Sequence, residues 1–424
     1  MDARTRIGVV LGVVGCRPDL GSSDSDDVTS AATDGDEPEQ SSTSTSSGPA
    51  STSGDASTGG CELQPPPGIP NPTWCEVTPS NVTFLEREIE VVFDARRSEW
   101  VSAVHWNGTR VLFAFVLGEP RQPMYEIRGS TNGDAAFDIV WPTAPLRPGA
   151  LWSTPIGTLV VADASSEAHQ IARLLPSGEI EVITESEVAI VPQPPAIDDE
   201  WMYVLLATDF PVRSVGRVPI GGGDLEILDF TAETIAMHDE GLVALTSVRE
   251  EYCSCSLINC RLLCEGCSDE VVSHDLVALD PVNGSSTVIA EELCASRLPE
   301  TGPFAARLLA LGSVADGIVA ADEAIVHIGW DGTRRVIAAP PHRVDGGQVF
   351  DGWVYFVSEI PGGQEEVAEI ARAPIEGGDV ETLARIPHHI VRPSTLETVT
   401  PTHVYVRERD INDASWSVVR RLAL

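Results

Sequence analysis

The chain has 424 residues, 42% of them hydrophobic, with 64 acidic against 27 basic side chains, enough apolar material for one large β domain or two ordinary ones. Every basic residue is an arginine, which excludes Schiff-base chemistry, a phosphate-loop lysine and a lysine general base. A formal net charge of −37 repels phosphate backbones and anionic head groups, so nucleic acid is not an expected partner and any membrane contact must come from something other than charge.

Residues 1–16 read as a signal segment: a basic start at Arg4 and Arg6, an apolar run from Ile7 to Val14, then Gly15-Cys16. The run falls far below the ~20 residues an α-helix needs to span hydrocarbon, so a permanent transmembrane helix is not expected. Val13-Val14-Gly15-Cys16 resembles the bacterial lipobox, which implies lipidation of Cys16 as the new N-terminus. An ordinary cleaved signal with an incidental cysteine is the alternative. In lipoproteins an aspartate after the cysteine favours inner-membrane retention; Arg17 stands here, so the resemblance implies a lipid anchor in the outer membrane and an extracytoplasmic domain in the cell envelope.

Residues 17–60 are rich in Ser, Thr, Asp, Gly and Pro, with nine acids and one arginine. Such a stretch cannot bury enough surface to offset its ordering entropy, and its self-repulsion keeps it extended, as a disordered tether. Asp24 to Asp27 lack the glycine and glutamate of a calcium loop and read as solvated charge. Residues 61–80 form a Cys/Pro-rich lead-in, where Cys61 and Cys75 suit a local disulfide. Residues 81–424 form the folded domain.

From about residue 100 the hydrophobic period is two, with short aliphatic runs bounded by Gly, Asp, Asn and Pro. One motif occurs twice, as Arg217-Val218-Pro219-Ile220-Gly221-Gly222-Gly223-Asp224 and Arg372-Ala373-Pro374-Ile375-Glu376-Gly377-Gly378-Asp379. Weaker copies surround Asn132-Gly133, Gly178, Gly284 and Gly332. Each is a strand, a turn suited to positive φ and a second strand. The turn glycines at 133, 178, 222, 284, 332 and 378 are spaced by 45, 44, 62, 48 and 46 residues, close to the ~40–50 of a four-stranded propeller blade apart from one. A lead strand precedes each hairpin, from Val111 to Phe115 through to Val354 to Val357. A seventh, His403 to Arg407, is followed by Ser417 to Leu424, where the chain ends one strand short of a blade. Pairing Thr83 to Phe93 with that blade would close the ring and remove both sheet edges. The expected fold is an all-β, seven-bladed β-propeller, with six blades as the alternative because the repeat at 101–141 is the least regular.

The Arg-Val-Pro-Ile-x-Gly-Gly hairpins resemble those of secreted bacterial β-propellers, including the TolB-like superfamily and related lipoproteins. That resemblance implies a fold used by docking platforms, lyases, hydrolases and dehydrogenases alike, so function does not follow from it. Trp330-Asp331 lies in a turn without a Gly-His partner and is not read as a WD repeat.

Without Cys16, eight cysteines remain, an even number that favours disulfides in an exported chain. Six of them, Cys253, Cys255, Cys260, Cys264, Cys267 and Cys294, cluster around the one long interval, so the excess reads as a Cys-rich insertion at about 250–270, in the fourth blade. Three disulfides are expected, with connectivity open. Zinc is the alternative, but there is a single Cys-x-x-Cys pair and Cys253-Ser254-Cys255 is tighter than usual structural sites.

Nucleophile-elbow, zincin, dinucleotide and EF-hand spacings are absent from the folded region. No catalytic residue, metal site or cofactor is expected. Adjacent His388-His389 would point to opposite faces of a strand. His238-Asp239-Glu240 and Asp198-Asp199-Glu200 occupy equivalent places before blade strands and read as solvated turn residues rather than a calcium site. The expected function is a lipid-anchored, monomeric interaction platform for an envelope protein or glycan, touching the membrane through its anchor only. The alternative is a channel-centred lyase or hydrolase acting on envelope polysaccharide or peptide.

Overall fold

The computed structural model describes residues 80–424 apart from 97–98, 119–123, 144–145, 164–167, 209–212, 239–240, 259–260, 294–308, 322–323, 343, 361–365, 389–393 and 410–415. The signal segment, the tether and all but Ser80 of the lead-in lie outside the described residues. The described residues form thirty strands in seven sheets and no helix.

Each sheet is a blade. Blade 1 runs outward through Glu99–Trp106, Val111–Leu117, Met124–Ser130 and Ile139–Pro142. Blade 2 comprises Arg147–Thr154, Gly157–Asp163, His169–Leu174 and Ile180–Ser186. In blade 3 the inner strand is split into Ala189–Ile190 and Ala196–Ile197, followed by Trp201–Ala207, Ser214–Pro219 and Glu226–Thr231. Blade 4 holds Thr234–His238, Gly241–Ile258, Arg261–Asp280 and Ser285–Leu293. Blade 5 holds Leu309–Val314, Gly317–Ala321, Ile325–Gly329 and Arg334–Ala338, and blade 6 holds Val344–Phe350, Trp353–Ile360, Glu366–Pro374 and Val380–His388. Blade 7 has three C-terminal strands, Ser394–Val399, His403–Arg409 and Trp416–Ala423, and takes its outer strand, Ile89–Arg96, from the N-terminal side. The inner strand of blade 7 neighbours that of blade 1. The ring is a seven-bladed β-propeller, not a six-bladed one.

The second strand of each blade explains why the sequence closes this way. Side chains alternate between the two faces of a strand, and here both faces are covered by a neighbouring blade. In Val111–Leu117, Leu112 and Ala114 pack toward blade 2 while Phe113 and Phe115 pack toward blade 7. The strand therefore reads as an unbroken apolar run, and residues 111 to 116 are all buried. Seven apolar clusters result, one in each gap between blades. Fully burying a Leu or Phe side chain stabilises by about 2–3 kcal/mol relative to exposure.

The gap between blades 7 and 1 is where the ring is sealed, and it is the aromatic one. Phe93 meets Phe115 edge-on with ring centroids 5.0 Å apart, and Phe137 meets Phe113 and Phe115 at 5.8 and 5.5 Å. The outer strand runs antiparallel to Trp416–Ala423, from Ile89 opposite Leu422 to Arg96 opposite Trp416. The expectation of one N-terminal run pairing with the last blade holds for Ile89 onward and fails before it. Val82–Phe84 instead pairs in parallel with Val380–His388, adding a fifth strand to blade 6. Glu86, with φ 49°, breaks the run and lets the chain cross from one blade to the next.

All six turn glycines have positive φ. At Gly332 the reason is also proximity: a Cβ there would lie 2.5 Å from the carbonyl oxygen of Ile289 in the preceding blade. The twice-written motif has a common use for its arginine. Arg217 donates to Glu226 at 2.8 Å, stacks over Trp201 at 4.4 Å and donates to the Pro281 carbonyl of the next blade at 3.2 Å. Arg372 repeats the first two contacts with Glu381 and Trp353 at 2.8 and 4.1 Å. Planar guanidinium groups suit such paired and stacked sites better than ammonium groups.

The insertion in blade 4 differs from the loop expected there. It lengthens the two central strands to 18 and 20 residues, paired from Leu242 opposite Leu279 to Ile258 opposite Arg261. The surplus residues form a two-stranded ribbon continuous with the blade.

Candidate functional site

Because strands within a blade alternate in direction, connections between first and second and between third and fourth strands open on one face of the ring. Those between second and third strands, and between blades, open on the other. The first is the turn face. First-to-second connections there take two to four residues and third-to-fourth connections four to eight. The other is the ribbon face, where second-to-third connections take three to six residues and blade 4 carries the ribbon.

Beneath the ribbon face, buried acids meet bases at the strand ends. Glu369, 3% exposed, accepts from Arg385 at 2.7 Å. Glu408, 6% exposed, accepts from Arg420 at 3.2 Å. His169 and Asp163 lie 2.7 Å apart across the second and third strands of blade 2. At the base of the ribbon, Glu233 joins blades 3 and 4, with His274 at 3.1 Å and Arg213 beside it. Burial pushes the Arg213 guanidinium down to about 10, while the Glu233 charge works in the opposite direction. His274 lies on the third strand of blade 4 and is 1% exposed. These groups fix strand ends with charge-assisted bonds. Among the described residues no group of three His, Cys, Asp or Glu side chains is placed to hold a metal ion.

Around the central opening, side chains satisfy the free edges of inner strands. Glu397 of blade 7 accepts from the Val104 amide of blade 1 at 3.1 Å and from Arg407 and Thr395 at 2.9 and 2.8 Å. Thr398 accepts from the Trp106 amide at 3.1 Å, and Gln348 of blade 6 accepts from the Val399 amide at 3.1 Å. His105 Nε2 and Ser153 Oγ, on the inner strands of blades 1 and 2, are 2.8 Å apart, and Ser153 also donates to the Trp106 carbonyl at 3.1 Å. Burial pushes the His105 imidazole down to about 4. A serine–histidine pair needs a base poised near working pH and a third group to orient it. Among the described residues, the hydrogen bond of His105 with Ser153 links the inner strands of blades 1 and 2.

Asp198 caps its turn, accepting from the amides of Glu200 and Trp201 and from the Tyr203 hydroxyl at 3.0 Å. Burial and that carboxylate push the Tyr203 phenol up to about 12. The trio at 198–200 is therefore turn structure, as expected, and Asp239 and Glu240 lie outside the described residues. Trp330 lies in a turn, its indole donating to the Ala315 carbonyl at 3.0 Å. Cys253, Cys255, Cys264 and Cys267 fall on the two strands of the ribbon. Cys16, Cys61, Cys75, Cys260, Cys294 and His389 lie outside the described residues. Sequence reasoning missed Glu397, Gln348 and the Glu233–His274–Arg213 group. Glu397 stands 293 residues from the amide it serves, a distance no local motif bridges.

No protein-family model matches the chain, and no curated protein matches it. Solved structures similar to it include the β-propeller domain of the Trilobed protease from Pyrococcus furiosus, at 11% identity and a TM-score of 0.49, covering 77% of this chain and 94% of that one. BamB from Moraxella catarrhalis is similar at 12% identity and a TM-score of 0.36, over 76% and 85% of the two chains. TolB from Acinetobacter baumannii is similar at 12% identity and a TM-score of 0.32, over 74% and 63%. At these identities the likeness is one of fold.

Proposed function

We propose that the protein is a lipid-anchored platform of the cell envelope, held at the outer membrane through Cys16 and a disordered tether over 17–60, and that it binds an envelope protein or glycan on the ribbon face. The observation that carries this reading is the asymmetry of the ring. The turn face holds connections of two to eight residues, several of them bonded to a neighbouring blade, while on the other face the two central strands of blade 4 run on as a ribbon, 18 and 20 residues long. Recognition elements belong on connections displayed by a rigid scaffold. The lipobox and the acidic tether support the address. A channel-centred lyase or hydrolase is the alternative reading; among the described residues at the opening it would draw on the His105–Ser153 pair, whose imidazole burial lowers to about 4.

Two measurements test the reading. Cys16→Ser should move the protein from the membrane to the soluble fraction; unchanged fractionation removes the anchor. Immobilised wild-type chain and a variant lacking residues 253–267 are then challenged with envelope extract. At least one component should be retained by the wild type and lost from the variant, and equal retention of every component overturns the role of the ribbon.

A further inference from the structure

The two strands of the ribbon carry cysteines at unequal spacings, Cys253-Ser254-Cys255 on one and Cys264-Glu265-Gly266-Cys267 on the other. On a regular antiparallel pair these spacings conflict, because residues two apart share a face and residues three apart do not. The register removes the conflict. Cys253 lies opposite Cys267 and Cys255 opposite Cys264, with Ser254 alone facing Glu265 and Gly266 across a bulge. The one extra residue returns both pairs to opposed positions.

We infer that these four cysteines form two cross-strand disulfides, Cys253–Cys267 and Cys255–Cys264. Directly opposed residues of an antiparallel pair have Cα atoms about 4.5 or 5.5 Å apart, inside the ~4.4–6.8 Å that a disulfide spans. The crossed combinations, Cys253 with Cys264 and Cys255 with Cys267, are one diagonal step away at about 7–8 Å, where a bridge needs backbone movement. Neighbours within one strand do worse. Cys253 and Cys255 stand two positions apart on one strand, roughly 6.6 Å along it. A four-thiolate zinc site draws on two Cys-x2–4-Cys pairs, and the ribbon supplies one such pair opposite a Cys-x-Cys.

The oxidant is an external disulfide of the thiol–disulfide exchange class. One ribbon thiolate attacks it, forming a mixed disulfide and releasing one external thiolate. The opposed ribbon thiolate then attacks the protein sulfur of the mixed disulfide and releases the second. Per bridge, two ribbon thiols lose two protons and two electrons, and the external disulfide becomes two thiols. The inference does not depend on the platform reading or on cellular address, because glutathione disulfide serves as oxidant in the test.

Purified full-length chain is equilibrated with glutathione disulfide, alkylated without reductant and digested with trypsin and a Glu-specific protease. In the wild type none of the four cysteines should be alkylated. Cys253→Ser should raise alkylation of Cys267 from background to near-complete while Cys264 stays protected, and Cys255→Ser should do the same for Cys264 while Cys267 stays protected. Electron-transfer fragmentation of the wild-type linked peptides between positions 253 and 255 makes the same assignment without a variant. Exchange of the two outcomes, exposure of Cys260 in place of either partner, or four alkylated cysteines in wild type overturns the pairing. So does a zinc ion retained by the native chain and released with all four thiols.

Discussion

The two faces of the ring are cut from the same seven blades, yet their connections obey different constraints. On the turn face, several turns are bonded to a neighbour: the Gly378 amide donates to the Ile337 carbonyl of blade 5 at 3.2 Å, and Tyr405 donates to the Gly133 carbonyl of blade 1 at 2.9 Å. On the ribbon face, strand ends are fixed from within by buried acid–base pairs such as Glu369 with Arg385 and Glu408 with Arg420. Substitutions on the first face should register as stability, and those on the second as recognition. This division lets a fold accept an insertion of the ribbon's size in one blade without disturbing the other six.

Gly332→Val attacks the turn face hardest. It combines positive φ with a clash against the Ile289 carbonyl and should cost about 4 kcal/mol in denaturant unfolding. Gly284→Ala, with positive φ but open space around it, should cost about 1 kcal/mol, isolating the contribution of proximity. Acid provides a second probe. The folded state holds His105 near pKa 4 against an ordinary 6.5, so the unfolded chain binds the proton more readily between those values. Stability should fall as pH drops through that window, by at most ~1.4 kcal/mol per unit, and His105→Gln should flatten the slope in a pH series of melting curves. Tyr405→Phe removes one buried hydrogen bond and should cost about 1 kcal/mol. Removing residues 253–267 should shift unfolding by less than about 0.5 kcal/mol. A larger loss would show that the ribbon supports the ring, and the contrast between faces would fail.

The second strands and the turns after third strands were legible in the sequence. Val111 to Phe115 is apolar on both faces because blades cover both, and Gly222 or Gly378 marks a turn only glycine fits well. Inner strands were not legible. Val344-Asp345-Gly346-Gly347-Gln348-Val349-Phe350 and Ser394-Thr395-Leu396-Glu397-Thr398-Val399 are polar or glycine-rich, since they line an opening and use side chains such as Gln348 and Glu397 to satisfy a neighbour's backbone. The ribbon was visible as surplus length and misread as a loop. Its strand character lies in a pairing partner on the other side of a turn, and Glu250 opposite Glu270 with Glu251 opposite Asp269 gave no favourable charge pattern to reveal it.

The N-terminal crossing has a mechanical consequence. The Ser80 amide donates to Ala339 of blade 5, and the chain then borders blade 6 through Val82–Phe84 and completes blade 7. Tension arriving from the residue 79 side loads the three-residue border before the long outer strand. A leash attached there would pull on the clasp itself, with the short border peeling first and acting as a fuse.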